Sequence, residues 1–267
     1  MRVSVTAPRS ELGAIVSERS ADLVAQGGEE RVVINVALQA PNSLLHDGQA
    51  WKRYPPQRLL DETRAALRSA RRADFVVHAS YLFAGADDAG LEPGAALRPL
   101  IDAALEAEAL VLGGTTPSCV VRLAYLYGPA SRSLRAYRRA FRIGRPYWAG
   151  PGGVRQRFLH SSDAADALLA AAAQRPAARV LAAADNQPVS FATFMDSFAR
   201  LVGNPLPLHL PAISAPISRI IIAPEHMQAC QLRTAAIDAH PRPRGFAPRV
   251  AGYKSGLRET VDAWSAE

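Results

Sequence analysis

The stretch 31-RVVINVAL-38 decides the fold class of this chain, because its run of β-branched and apolar residues is almost unbroken. Such a run is typical of a strand that is buried on both faces, as strands of parallel sheets are. Further strand-like runs follow at 74-DFVVHAS-80, 118-SCVVRLAYLYGP-129 and 179-RVLAAA-184, with helical patterns between them. This alternation predicts an α/β fold with a parallel sheet that is covered on both faces.

The helical patterns lie at residues 9–25, 58–73, 97–110, 163–173, 190–203 and 253–264. Residues 1–8 read as one more short strand, and the Pro-rich residues 204–224 read as a linker or extended chain. The amino-acid composition changes after residue 129, where Arg-rich and Gly-rich segments begin. We therefore predict a core over residues 1–130. Residues 131–267 are expected to form a lobe interleaved with the last core elements, within one compact unit.

Composition excludes several classes of protein. Hydrophobic residues make up 49% and charged residues 21% of the 267 residues, which favours a globular chain with a full core. No apolar run approaches the ~18–20 residues of a membrane span, and the start MRVSVTAP is unlike a signal peptide. The two cysteines, Cys119 and Cys230, have no metal-ligand spacing. These features predict a cytoplasmic protein without a metal site or a membrane contact.

The net charge of +7 comes almost entirely from arginine, which is densest in 132-RSLRAYRRAFRIGR-145. Arg132, Arg135, Arg139 and Arg142 recur every three or four residues and share one face of a predicted helix. A basic helix can bind nucleic acid. A solvated face of the lobe is the reading we favour, so no nucleic-acid partner is predicted.

Six stretches in the same order carry a family resemblance: 31-RVVINVALQAP-41, 61-DETRAALRSARRA-73, 76-VVHASYLFAG-85, 120-VVRLAYLYGP-129, 157-RFLHSSDAADALLAA-171 and 245-GFAPRVAGYKSGLRETVDAW-264. Together they resemble the extended short-chain dehydrogenase/reductase superfamily, in its NAD-dependent epimerase/dehydratase group. The resemblance implies a Rossmann-like parallel sheet with a small C-terminal substrate lobe. It also implies that the chain is a truncated and atypical relative, for the two reasons that follow.

The first departure concerns the helix 97-LRPLIDAALEAEAL-110. In the family this helix carries a catalytic Tyr, a Lys four positions later and a Glu four positions after that. Aligning the Glu with Glu108 places Ala104 at the Lys position and Leu100 at the Tyr position. Leu and Ala offer no titratable proton, so the proton chemistry of the family's redox reaction is lost.

The second departure concerns the glycine-rich turn after the first strand. The family pattern T-G-x-x-G-x-x-G aligns with 6-TAPRSELG-13, in which Ala7 and Ser10 replace two glycines and Gly13 remains. Only 30 residues precede the fourth-strand motif, so at least one βαβ unit is missing. Residues 1–25 are therefore either the first strand–helix unit or the third. With no acidic residue to bind a ribose hydroxyl, we predict no nucleotide cofactor, and NAD(P) binding stays as the alternative.

The candidate catalytic residues are Ser80 and Tyr81 at the end of one strand and Tyr125 at the end of the next. Ligands of open α/β sheets gather at that edge. The resemblance adds Arg157 and His160 as substrate-binding candidates, and the loop after residue 38 adds Gln39 and Asn42, with His46 beside them. The structural alternatives are a strand-end cap for Ser80, packing for the two tyrosines and a structural role for His160.

These observations predict a redox-neutral enzyme of the isomerase, cyclase or dehydratase type that acts on a small molecule, in specialised metabolism. One alternative is an NAD(P)-dependent epimerase or reductase with a degenerate site. Another is a non-catalytic pseudoenzyme that binds a ligand or a partner. Under each hypothesis we expect a homodimer, because a lost βαβ unit leaves a sheet edge to be covered.

Overall fold

The computed structural model describes the chain except for residues 25–28, 37–54, 149, 151, 178, 211–222, 238–239, 251 and 267. Its centre is a parallel sheet of five strands in the order β1-β2-β3-β4-β8. The strands are β1 Arg2–Val5, β2 Arg31–Asn35, β3 Phe75–Tyr81, β4 Ser118–Leu123 and β8 Arg179–Ala183. This architecture confirms the predicted α/β fold.

The described part of the chain contains eight α-helices, which surround the sheet and form the lobe. They are α1 Glu11–Val24, α2 Pro56–Ser69, α3 Arg98–Leu112, α4 Arg132–Arg142, α5 Ser161–Gln174, α6 Phe191–Leu201, α7 Pro224–Gln231 and α8 Tyr253–Ser265. Helix α1 packs against α5, and α2 packs against α3. No helix in the described part of the chain is long and apolar enough to cross a membrane.

The alternation of side chains along the strands separates the two faces of the sheet. Val33 and Val76 are register partners and pack with Val111 of α3. Their neighbours Val32, Ile34 and Val77 belong to the larger core, which also contains Leu12 and Val16 of α1. The buried, β-branched composition of β2 and β3 follows from this position between two helical layers.

The predicted strand over residues 118–129 is in fact two strands. Strand β4 ends at Leu123, and β5 spans Tyr125–Tyr127 in a separate two-stranded sheet with β7, Phe158–His160. At the break, the backbone N–H of Ala124 donates to Ala183 of β8, whereas that of Tyr125 donates to Arg157 beside β7. The chain thus leaves the core sheet for the lobe by exchanging its hydrogen-bond partner.

The lobe contains a second two-stranded sheet, in which β6, Tyr147–Trp148, pairs with β9, His209–Leu210. Helix α6 begins as predicted, because the Ser190 side chain accepts a hydrogen bond from the backbone of Thr193. Helix α7 was not predicted from the sequence, where its residues fell at the end of a Pro-rich segment. Burial of Ala223, Met227 and Cys230 stabilises it more than helical periodicity does.

Candidate functional site

The three residues predicted to be catalytic lie at the carboxyl ends of β3 and β4, although Ser80 and Tyr81 point to opposite faces of β3, and α7 packs against Tyr125. The Tyr125 hydroxyl donates to the backbone oxygen of Ala229 in α7, at 3.3 Å. The Gln228 side chain of α7 accepts from the backbone N–H of Leu97, at 2.8 Å, where α3 begins. Helix α7 therefore lies over the first turn of α3, the turn that contains Leu100.

Ser80 points towards α3 and is held by an ion pair. Its hydroxyl donates to Glu108 at 2.5 Å, and the Arg122 guanidinium binds the same carboxylate at 2.8 Å. Arg122 and Glu108 are both buried, so this ion pair lies inside the protein. The geometry gives Ser80 a structural contact, while its catalytic role stays a prediction.

Tyr81 points to the opposite face of β3, as alternation along a strand requires. Its ring stacks on Phe83 with centroids 4.7 Å apart, and Phe83 lies 6.0 Å from the ring of Tyr125. Burial raises the pKa of both tyrosines far above the ordinary value for a phenol. Both phenols therefore keep their protons at neutral pH, and a catalytic role for either tyrosine stays a prediction.

A chain of buried polar groups links the first three strands at the same edge. The Thr6 hydroxyl donates to Asn35 at 2.7 Å, and the Asn35 amide donates to the His78 Nδ1 atom, 2.9 Å away. Burial lowers the pKa of His78 to about 4, so its imidazole is neutral at pH 7. The sequence did not single out this group, although Asn35 and His78 were visible as polar residues inside apolar strands.

The turn between β1 and α1 keeps the shape of a dinucleotide-binding turn in spite of its substitutions. Ala7 takes the left-handed conformation, with φ +48°, at the first glycine position. A Cβ atom added to Gly13 would lie 2.2 Å from the Ala7 carbonyl oxygen, so α1 and the turn are in close contact there. Strand β1 also pairs with β2, the place that the first strand has beside the fourth in a Rossmann sheet. Both features identify residues 1–24 as the first unit rather than the third.

The missing part therefore lies between α1 and β2, which only residues 25–30 separate. In a Rossmann sheet, strands two and three lie beyond strand one, and the end of strand two carries the acidic residue that binds the adenosine ribose. In this chain β1 is the outermost strand of the sheet. The strands that would form the adenosine half of a dinucleotide site have no counterpart among the described residues.

The phosphate end and the redox end of such a site are also altered. The Ser10 hydroxyl accepts from the backbone N–H of Gly13 at 3.0 Å and so caps α1, the helix end that would bind a pyrophosphate. Glu11 adds a carboxylate at the same end, where a second anion would be repelled. On α3, Leu100 and Ala104 are buried apolar residues. The residues present do not fit a dinucleotide bound in the usual mode.

Helix α7 supplies two chemically capable side chains that the sequence did not point to. The Sγ atom of Cys230 lies 3.7 Å from Nε2 of His226, and both residues are buried. The Gln156 amide donates to the backbone oxygen of Cys230 at 2.7 Å, which fixes this end of α7 against β7. Burial raises the pKa of Cys230 well above the ordinary value for a thiol, so Sγ keeps its proton.

The predicted substrate-binding residues Arg157 and His160 belong to a different cluster, behind β5. An Arg157 N–H donates to the backbone oxygen of Asp185 at 3.4 Å. His160 lies against Tyr127 with ring centroids 5.3 Å apart, and its Nδ1 atom lies 2.6 Å from the Ser162 hydroxyl at the start of α5. This position matches the structural alternative for His160, and substrate binding by either residue stays a prediction.

Asp185 is the most perturbed acid of this second cluster. Burial raises its pKa from 3.8 to about 7, although the backbone N–H of Gln187 and the nearby Arg157 lower it. One of its carboxylate oxygens has no hydrogen-bond partner in the described part of the chain. Gln39, Asn42 and His46 lie outside the described residues. Among the described residues, no group of His, Cys, Asp or Glu side chains could hold a metal ion.

Comparison with known proteins places these observations in context. No protein-family model matches the chain. The 3-diazoavenalumate denitrifying reductase of a Streptomyces species is 33% identical over 163 residues. These residues are 59% of this chain and 51% of the relative, so the match spans about half the length of that enzyme.

Solved structures match over almost the whole chain. The human epimerase family protein SDR39U1 with NADPH has a TM-score of 0.67 at 18% identity, covering 98% of this chain and 99% of that chain. UDP-glucose 4-epimerase from Thermotoga maritima with UDP-glucose has a TM-score of 0.66 at 14% identity, covering 100% and 99%. The dTDP-glucose 4,6-dehydratase of Bacillus anthracis with NAD has a TM-score of 0.65 at 12% identity, covering 100% and 97%. The chain has the Rossmann-like fold of the epimerase- and dehydratase-type short-chain dehydrogenase/reductase enzymes.

Proposed function

We propose that this chain is a redox-neutral enzyme that acts on a small organic molecule beneath α7, without a nicotinamide cofactor. The observation that carries the proposal is the buried Cys230–His226 pair, 3.7 Å apart, on the helix that covers the first turn of α3. That turn contains Leu100, at the position of the missing tyrosine. The pair packs on the side of the lobe, where the His226 ring lies 5.9 Å from that of Phe191, and we propose it as the acid/base group of an enzyme whose α3 carries none.

The pair has the composition that proton transfer needs. Because Cys230 keeps its proton, the imidazole of His226 is the available base and the thiol is the available donor. In an isomerisation next to a carbonyl group, His226 would accept the C–H proton and the Cys230 thiol would donate its own to the neighbouring or the same carbon. The proton on His226 would then pass to the Cys230 thiolate, 3.7 Å away, which restores both groups. The reaction moves a proton within the substrate, and neither an oxidant nor a reductant is consumed.

The remaining groups at this edge would position the substrate and keep water away. The stacked rings of Tyr81 and Phe83 make one wall apolar, and Tyr125 holds α7 through the Ala229 carbonyl. A dry, apolar site strengthens each polar interaction made inside it. In this proposal the tyrosines shape the site, and Ser80 keeps the Arg122–Glu108 pair in place.

Solvent-deuterium exchange tests the proposal. The protein would be incubated in D₂O with a panel of nucleotide sugars and aromatic acids, without nicotinamide, and each compound would be examined by NMR and mass spectrometry. We expect deuterium at one carbon of a substrate, with loss of at least about 100-fold in the exchange rate in His226→Gln and Cys230→Ala, since each removes one partner of general acid/base catalysis. Cys119→Ala, at the other cysteine of the chain, is the matched control and should exchange at the rate of the unchanged protein.

A nucleotide-dependent reductase is the second candidate, favoured by the similarity to a Streptomyces denitrifying reductase and by the left-handed Ala7 at the turn. It predicts consumption of NADPH, seen as falling absorbance at 340 nm, and no exchange without NADPH. If neither reaction is found and both α7 variants fold normally, the pseudoenzyme hypothesis replaces both enzymatic ones.

A further inference from the structure

The exposed large hydrophobic residues of the described chain all lie in one region of the lobe. They are Ile143, Leu206 and Leu208, with 70%, 54% and 69% of their surface exposed. The backbone N–H of Tyr147 donates to the Leu208 oxygen, and the Asn204 side chain donates to the Arg138 oxygen. These two bonds join the segment of the two leucines to the end of α4, where Ile143 lies.

Backbone hydrogen bonds fix the segments that carry these exposed side chains. After α4, the N–H of Gly144 donates to Phe141 and the N–H of Arg145 to Ala140, which is the hydrogen-bond pattern of a Schellman motif around the C-cap residue Ile143. Gly144 takes the φ of +68° that this motif requires. The Schellman motif therefore fixes the position of Ile143, whose side chain is exposed to solvent.

The two leucines project from an extended segment. Leu206 and Leu208 flank the buried Pro207, so they share the outward side of the chain. A second Schellman motif, in which Gly203 and Asn204 donate to Arg200 and Ala199, fixes the start of this segment at the end of α6. The two Schellman motifs thus fix the backbone next to Ile143, Leu206 and Leu208, whose side chains are exposed to solvent.

Three exposed arginines lie in the last turn of α4 and just after it, near Ile143. Arg139, Arg142 and Arg145 are exposed, and none of them forms an ion pair with a described residue. Arg139 and Ile143 are four residues apart and share a face of α4. We call these three arginines, with Ile143, Leu206 and Leu208, the basic apolar patch.

We infer that the basic apolar patch is a docking site for an acidic amphipathic helix of another protein. The aliphatic side chains would receive the apolar row of that helix, and the arginines would bind the carboxylates beside the row in fork geometry. Complementary charge favours this occupant over a second copy of the chain, because a symmetric dimer would place the patch against itself and bring like charges together. A membrane is disfavoured, since even a whole myristoyl chain gives only marginal membrane binding and three aliphatic side chains would give less.

The homodimer predicted from the sequence would use a different surface, the outer edge of β1. That edge shows exposed Arg2 and Ser4 between half-buried valines, and none of the exposed large hydrophobic residues of the described chain lies there. Docking at the patch and pairing at the edge are therefore separate expectations. They can be tested independently on the same protein.

The test uses a fluorescent 18-residue helical peptide with leucines at positions i, i+3, i+4 and i+7 and glutamates elsewhere. We expect saturable binding by anisotropy at 50 mM NaCl, weakened about 10-fold by Arg139→Glu/Arg142→Glu and about 5-fold by Ile143→Ser. The matched control Arg68→Glu/Arg72→Glu reverses two exposed charges in an arginine cluster near the end of α2, which lacks an exposed aliphatic residue. This control should bind the peptide as the unchanged protein does.

Four results would overturn the inference. The first is that the peptide does not bind, and the second is that both double charge reversals weaken its binding equally. The third is that a peptide with glutamine in place of glutamate binds equally well. The fourth is that the protein binds phosphatidylglycerol vesicles or duplex DNA more tightly than the peptide. Self-association of the protein that Ile143→Ser abolishes would assign the patch to a second copy instead. Circular dichroism of each variant confirms that a loss of binding is not a loss of fold.

Discussion

Asp185 is expected to destabilise the folded protein at neutral and alkaline pH, and Asp185→Asn should therefore increase stability. The carboxyl group is 1% exposed, and burial raises its pKa from 3.8 to about 7. A group whose pKa is higher in the folded state favours folding only where it is protonated. Its cost to stability is fully present above about pH 7 and is absent below the ordinary pKa of 3.8.

The size of the effect follows from this difference in pKa. A change from 3.8 to about 7 corresponds to about 4 kcal/mol. Asparagine keeps the shape and removes the charge, and its oxygen can still accept from the backbone N–H of Gln187. Its NH₂ group would occupy the place of the oxygen that has no partner, which costs about 1–3 kcal/mol. We therefore expect Asp185→Asn to raise the free energy of unfolding by about 2 kcal/mol at pH 8.

Urea unfolding followed by tryptophan fluorescence at pH 8, 6 and 4 measures this effect. The gain should shrink as pH falls, because the folded protein then protonates Asp185 and the charge disappears. Asp262→Asn, on the exposed side of α8, is the control and should change stability by less than about 0.5 kcal/mol at each pH. A variant less stable than the unchanged protein at pH 8, or a gain independent of pH, would refute the reasoning.

Three further predictions concern the sheet and its edge. Because the buried His78 has a pKa of about 4, the unfolded chain binds more protons than the folded one below pH 6.5, and the free energy of unfolding should fall by about 3 kcal/mol between pH 6.5 and 4. In His78→Gln the free energy of unfolding, measured with urea, should change much less over this range of pH. Glu108→Gln leaves Arg122 buried without its full partner and should cost about 3–5 kcal/mol by urea unfolding, whereas the double change Glu108→Leu/Arg122→Met should recover most of that loss. Gly13→Ala places a Cβ 2.2 Å from the Ala7 oxygen and should lower the thermal midpoint by several degrees for each kcal/mol lost, whereas an unchanged midpoint would mean that the turn is open.

The sheet was predictable because most of its strands are apolar runs, and the helices between them indicate parallel pairing. The break at Ala124 was not predictable, because residues on both sides are apolar and the chain only exchanges Ala183 for Arg157 as its backbone partner. Periodicity cannot detect such an exchange. It depends on which strand lies alongside, and that is set by the whole fold.

Only part of the candidate site could be predicted from the sequence. The loss of Tyr and Lys at Leu100 and Ala104 was visible because Glu108 fixes the alignment, and in the structure Glu108 pairs with Arg122 of β4. The Cys230–His226 pair was missed because α7 is short and has no motif. What brings it to the site is tertiary packing against Tyr125 and Leu97, which local sequence does not encode.

The central claim is that this fold has lost its dinucleotide site, and calorimetric titration with NADPH and NAD⁺ tests it most directly. Because the described residues include no counterpart of strands two and three and α1 is capped by Ser10, we expect no saturable heat of binding for either nucleotide up to about 1 mM, which corresponds to less than about 4 kcal/mol of binding free energy. The same titration on Ser10→Gly should also show none, because the adenosine half stays absent. Saturable binding of NADPH by the unchanged protein at micromolar concentration would contradict the account.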